Sequence, residues 1–216
     1  MTRTHQQPLQ SKFLEAARSR VLIGDGAMGT MLQAADLTLD DFLGLEGCNE
    51  ILNHTRPDVL EGIHRAYFEA GADAVETNTF GCNLSNLGDY DIADRIRELS
   101  EKGTAIARRV ADEFEQADGT PRFVLGSIGP GTKLPTLGHT SFAVIRDAYR
   151  ETAHGMLDGG ADAFLVETCQ DILQAKAAVL GCQAAMGEQA HWIPIIVHVT
   201  VETTGTMLLG SRSAPR

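Results

Sequence analysis

Apolar positions recur along the chain in two alternating rhythms. Short runs rich in β-branched residues read as strands: "VLIGDG" from Val21, "ADAVETN" from Ala72, "RFVLGS" from Arg122, "ADAFLVET" from Ala161 and "IPIIVHVTV" from Ile193. Each is preceded by a segment of helical period. In "RPDVLEGIHRAYFEAG", for example, Val59, Ile63, Ala66, Tyr67 and Ala70 fall on one face. Strands that alternate with helices predict a parallel sheet.

Two of the runs echo one another. "GADAVET" at Gly71 and "GADAFLVET" at Gly160 each follow a helical segment. In both, a glycine closes the helix, a turn follows, and the apolar strand ends in Glu-Thr. Polar residues gathered at strand C-termini predict a (β/α)8 TIM-type barrel, whose active site is built at that face, with only about the first five β/α units present. A doubly wound open sheet shares this habit and stays as the alternative.

Composition narrows the class of partner. The 216 residues are 43% hydrophobic and 22% charged, enough for a sizeable globular core. A formal charge of -11 argues against nucleic acid or an anionic membrane, both of which need clustered Lys and Arg, and favours a small molecule. Neither a signal-like apolar block nor a run near ~18 apolar residues is present, which predicts a cytoplasmic protein. Cys48, Cys82, Cys169 and Cys182 form no CxxC pair, so reduced thiols are expected.

Two glycine-rich stretches resemble nucleotide motifs without their context. "GDGAMG", Gly24 to Gly29, matches G-x-G-x-x-G, but the next convincing strand begins near Ala72, too far on for a dinucleotide fold. "GSIGPGTK" from Gly126 has Thr132 before Lys133, the reverse of a phosphate loop, and Pro130 removes a backbone N–H from any anion cradle.

What remains is a set of polar residues at strand ends: Asp25, Glu76 with Thr77 and Asn78, Ser127, and Glu167 with Thr168. Asp25 and Glu167 could act as an acid and base pair, as metal ligands, or as a receptor for an ammonium group. Backbone N–H groups around Gly26, Ala27 and Gly29 could accept a carboxylate beside them, which together reads as an amino acid pocket. The plainer alternative is that both acids cap helix N-termini, worth about 0.3 to 1 kcal/mol each.

At these residues the sequence meets a family. "VLIGDGAMGTMLQ", "LEGCNEILNHTRPDVLEGIHRAYFEAGADAVETNTFG", "LGSIGPGTKLPTLGHTSF" and "GGADAFLVETCQDILQAK" resemble the N-terminal homocysteine-binding domain of cobalamin-dependent methionine synthases, from about Phe13 to Gly210. The betaine-dependent homocysteine methyltransferases share the DGAMGT-like and ET-like motifs; "ETNTFG" and "GPGTKLPTLGH" lean to the cobalamin enzymes. The resemblance implies a (β/α)8 barrel that binds L-homocysteine as a zinc thiolate, which takes a methyl group from methylcobalamin. Folate- and cobalamin-binding modules lie elsewhere in the full-length family. Carried onto matching positions, Asp25 and Glu167 would hold the substrate ammonium. The backbone around Gly26, Ala27 and Ser127 would take the carboxylate, and Thr77, Asn78 and the residues to Phe80 would shape the wall.

The family's three zinc cysteines lie after later strands, one in a segment like "GLNC" and two adjacent, and this chain contains neither motif. No catalytic or metal-binding residue is therefore expected in this chain, and zinc is not expected to bind. Cys82 and Cys169 are the remote substitutes, since a zinc site needs three or four ligands. His198 reads as a residue inside the last strand, His54, His64 and His154 as helix residues, and Trp192 as packing. The expected organisation is a flexible extension over 1–12, an incomplete barrel over 13–210, and a divergent tail "SRSAPR" over 211–216 that looks like a truncation. An incomplete barrel leaves two sheet edges unpaired, so the isolated chain is expected to aggregate, rearrange or be completed by a partner. A non-catalytic interaction protein using that edge, or another barrel enzyme with Asp25 and Glu167 as acid and base, are the competing functions.

Overall fold

A computed structural model describes residues 11–208; the expected extension up to residue 10 and the tail at 211–216 lie outside them. Four parallel strands form one sheet in the order β1-β2-β3-β4: β1 Ala74–Glu76, β2 Phe123–Ile128, β3 Ala163–Cys169 and β4 Ile195–Val199. Helices α1 Lys12–Ser19, α2 Met28–Ala34, α3 Leu52–Thr55 and α4 Pro57–Glu69 precede β1. Helices α5 Leu84–Asp89 and α6 Ile96–Asp118 join β1 to β2, α7 Phe142–Asp158 joins β2 to β3, and α8 Ile172–Gln189 joins β3 to β4. Spatial order follows chain order throughout. A doubly wound sheet reverses direction at a switch point, so this topology is that of a barrel wall, and the alternative falls.

The first predicted run does not form a full strand. It makes a single bridge, Gly24 to Ala74, while Ile23 O accepts from Asp73 N at 2.7 Å and from Ala74 N at 3.1 Å. Val21 is 80% and Ile23 56% exposed. With a three-residue partner on one side and no strand beside it on the other among the described residues, a longer ladder has nothing to register against. The opposite edge, β4, leaves Val197 and Val199 exposed.

Side-chain alternation sorts each strand between two cores. On the interior face, Ala74, Phe123, Leu125, Ala163 and Leu165 form one cluster. Helix α1 closes it from below: Ser11 caps the helix, and the Phe13 ring meets Phe123 edge-to-face at 5.4 Å. On the outer face, Val75 and Val124 pack with Phe68 and Val110, while Phe164 and Val166 pack with Tyr149 and Met156. Burial on both faces is why the strands read as nearly continuous apolar runs. Each such side chain contributes about 1.5 to 3 kcal/mol. Gly126 keeps the α7 side of β2 bare because a Cβ there would lie 2.7 Å from Met156 Sδ. No helix among the described residues is long and apolar enough to cross a membrane.

Candidate functional site

Above the interior cluster the alternation continues into polar residues, since Glu76, Ser127 and Glu167 each lie two positions beyond an interior apolar residue. They line a cavity of about 320 Å3 with Asp25, Gly26, Thr77, Asn78 and Phe80. Of the residues singled out from the sequence, Asp25, Gly26, Thr77, Asn78, Ser127 and Glu167 are thus brought together. Ala27 stands behind the wall, its carbonyl accepting from Tyr67 Oη at 3.0 Å.

Asp25 reaches β1 through Oδ2, which accepts from Glu76 N at 3.0 Å; its Oδ1 is buried and has no partner. Burial pushes its carboxyl up to about 7 against the backbone donors, with the Glu167 charge adding to the rise. Glu76, unused in the family-based assignment, is raised to about 7 by burial and then by the charges of Glu167 and Asp25. Three acids therefore repel one another across one space, an arrangement that an incoming cation relieves.

Ser127 Oγ donates to Glu167 Oε1 at 2.5 Å and fixes that carboxylate. The Ser127 N–H is itself engaged: it donates to Thr77 Oγ1 at 3.0 Å, Thr77 and Thr79 hydroxyls meet at 2.6 Å, and Thr79 Oγ1 donates back to Ser127 O at 2.8 Å. This ring ties β2 to the segment after β1. Asn78 is held in the same way, its Nδ2 donating to Asn49 O at 2.8 Å and to Asn53 Oδ1 at 2.9 Å. The threonine and asparagine side chains thus build the wall through bonds within the protein.

Thr168 has φ 57, a left-handed conformation that a β-branched residue rarely adopts. It coincides with the irregularity between Val166 and Cys169 in the β3–β4 pairing. This bulge leaves Glu167 on the interior face and turns Cys169 outward, into the cluster with Tyr149 and Cys182. Cys82 is buried elsewhere, with Cys48, Ile51 and Leu87. The two cysteines are not brought together. Burial, then the Glu167 charge, holds the Cys169 thiol up at about 11, and burial raises Cys82 well above the usual thiol range. Among the described residues no group of three or more His, Cys, Asp or Glu side chains is placed to hold a metal ion.

Sequence reasoning missed Glu50. It lines the same cavity from the 3-10 turn Asn49–Ile51, is 9% exposed, and accepts from Gly81 N at 2.8 Å through Oε1. Burial raises its carboxyl, and Gly81 has no room for a Cβ beside it. An acid between Cys48 and the buried pair Ile51 and Leu52 was the only hint, and it carries no periodicity. A larger cavity, about 590 Å3, opens at the strands' N-terminal ends. Its arginines are already paired, Arg108 with Asp162 and Arg122 with Asp118.

Residues 22–214 match the homocysteine S-methyltransferase family. The chain belongs to that family. It is 74% identical over 211 residues to the methionine synthase of Mycobacterium tuberculosis and 72% identical over 211 residues to that of Mycobacterium leprae, covering 98% of this chain in each case. It spans only 18% and 17% of those relatives. Among solved structures, the metallated form of the homocysteine methyltransferase MmuM from Escherichia coli superposes with a TM-score of 0.73 at 19% identity, over 93% of this chain and 70% of that one. The apo form of MmuM gives 0.67 over 95% and 68%. Its fold is therefore shared by this chain.

Proposed function

We propose that this chain binds L-homocysteine as the homocysteine-binding part of a methionine synthase, which methylates the substrate sulfur from methylcobalamin. Asp25 and Glu167, with Glu76 beside them, receive the substrate ammonium. The backbone at Gly26 faces the carboxylate, and Phe80 and Met28 border the apolar chain. The observation that carries this is the convergence of three carboxyls, one with an unpartnered buried oxygen, on a cavity of about 320 Å3 in a member of this family. The described residues hold, orient and desolvate the amino acid. Activation of the thiol is not assigned to them, and zinc, cobalamin and folate binding belong to other parts of the methionine synthase.

Calorimetric titration of the chain with L-homocysteine, with and without zinc, tests this. Glu167→Gln keeps the shape and removes the charge, so affinity should fall at least about tenfold, the worth of one hydrogen bond to a charged group. Unchanged affinity would remove Glu167 from the ammonium site.

A further inference from the structure

We infer that His198 is a further positioning residue, holding the carboxylate of the amino acid substrate from the β4 side of the cavity. The inference rests on the amino acid site proposed above. In the β3–β4 pairing Val166 faces Val197 and Cys169 faces Val199, so His198 alone stands opposite the bulged pair Glu167 and Thr168. Ile196 packs into the interior cluster, and His198, two residues on, shares that face. Adjacent strands lie about 4.8 Å apart, so His198 stands on the strand next to Glu167, outside the residues that line the cavity itself.

Charge balance supplies the second observation. The cavity is walled by Asp25, Glu50, Glu76 and Glu167 and by no Lys, Arg or His. An ammonium suits such a wall, whereas the carboxylate of the same molecule is repelled by it. The Ser127 N–H, a possible donor, is taken by Thr77. His198 is exposed, its ring makes no hydrogen bond to another described residue, and it is the one basic residue within the four described strands. Of the titratable groups on neighbouring elements, Glu167 of β3 faces it; α8 packs against the other side of β4 through the cluster that Ile195 joins. The imidazole can therefore donate a hydrogen bond to a carboxylate while Glu167 holds the ammonium on the same carbon.

The test is a pair of ligands titrated into the 216-residue chain: L-homocysteine, and 3-aminopropane-1-thiol, which is the same molecule without its carboxylate. His198→Leu, which removes every donor from the side chain, should weaken homocysteine about tenfold and leave the amine unchanged, because only the carboxylate loses its partner. In NMR spectra homocysteine should move the His198 ring resonances, and the amine should not. An equal loss for both ligands, or no loss for homocysteine, would overturn the assignment. Glu167→Gln separates the two levels: it should weaken both ligands. If it weakens both while His198→Leu is silent, only the His198 role fails; if it weakens neither, the amino acid site fails with it.

Discussion

Homocysteine should drive protons out of the cavity when it binds. Asp25 and Glu76 each sit at about 7, raised chiefly by burial, with the surrounding acid charges adding to the rise. At pH 6.5 a carboxyl with that value is about three-quarters protonated, so ionising both around an ammonium releases up to about 1.5 protons per ligand. The homocysteine ammonium stays charged there, which leaves the acids as the source. Affinity should then tighten by one to two decades per pH unit between about pH 5 and 7 and level off above, since the slope equals the number of protons released. Calorimetry at pH 6.5 in buffers of differing ionisation enthalpy measures the release as the slope of observed heat against buffer enthalpy. A zero slope, or proton uptake, would refute an ammonium seated among Asp25, Glu76 and Glu167.

Stability should depend on pH from two sides. Asp25 and Glu76 have folded values above their unfolded ones, so the stability they contribute is present below about pH 4 and lost as pH rises through about 7; for Asp25 alone the ceiling is about 4 kcal/mol, reduced by its partial exposure. His64 on α4 is fully buried with both ring nitrogens unpartnered, and burial lowers it to about 4. Its contribution is present above about pH 6.5 and lost as pH falls towards 4, by about 3 kcal/mol, so His64→Leu should flatten the acid limb of a urea-midpoint profile; an unchanged limb would exclude His64 as its source. Gly155 lets α7 approach α6, and a Cβ there would lie 2.8 Å from Glu101 N and overlap Arg97 O. Gly155→Ala should lower stability by about 1 to 3 kcal/mol, and a urea midpoint equal to that of the parent would show that the helices part without strain.

The barrel habit was legible because it is local. A strand buried on both faces must be apolar along its length, a helix must be apolar on one stripe, and both signatures survive in the chain without any partner. The echo at Gly71 and Gly160 marked where β1 and β3 would begin and placed Glu76 and Glu167 at their ends. The run at Val21 read equally well as a strand and became one bridge, because a strand is completed by its neighbours and this one has a partner on one side only among the described residues.

The sequence by itself determined the order of the helices and the four strands, the strand ends that carry Ser127 and Glu167, and the family. Only the tertiary structure decided what those groups do to one another. The sheet sets Glu76 beside Asp25, a 3-10 turn distant in sequence brings Glu50 to the same cavity, and the bulge at Thr168 turns Cys169 into the outer cluster. Residue type and period are properties of neighbouring positions, whereas burial, the distance between two carboxyls and the facing of a bulged strand depend on segments tens of residues apart meeting in space, which no local pattern encodes.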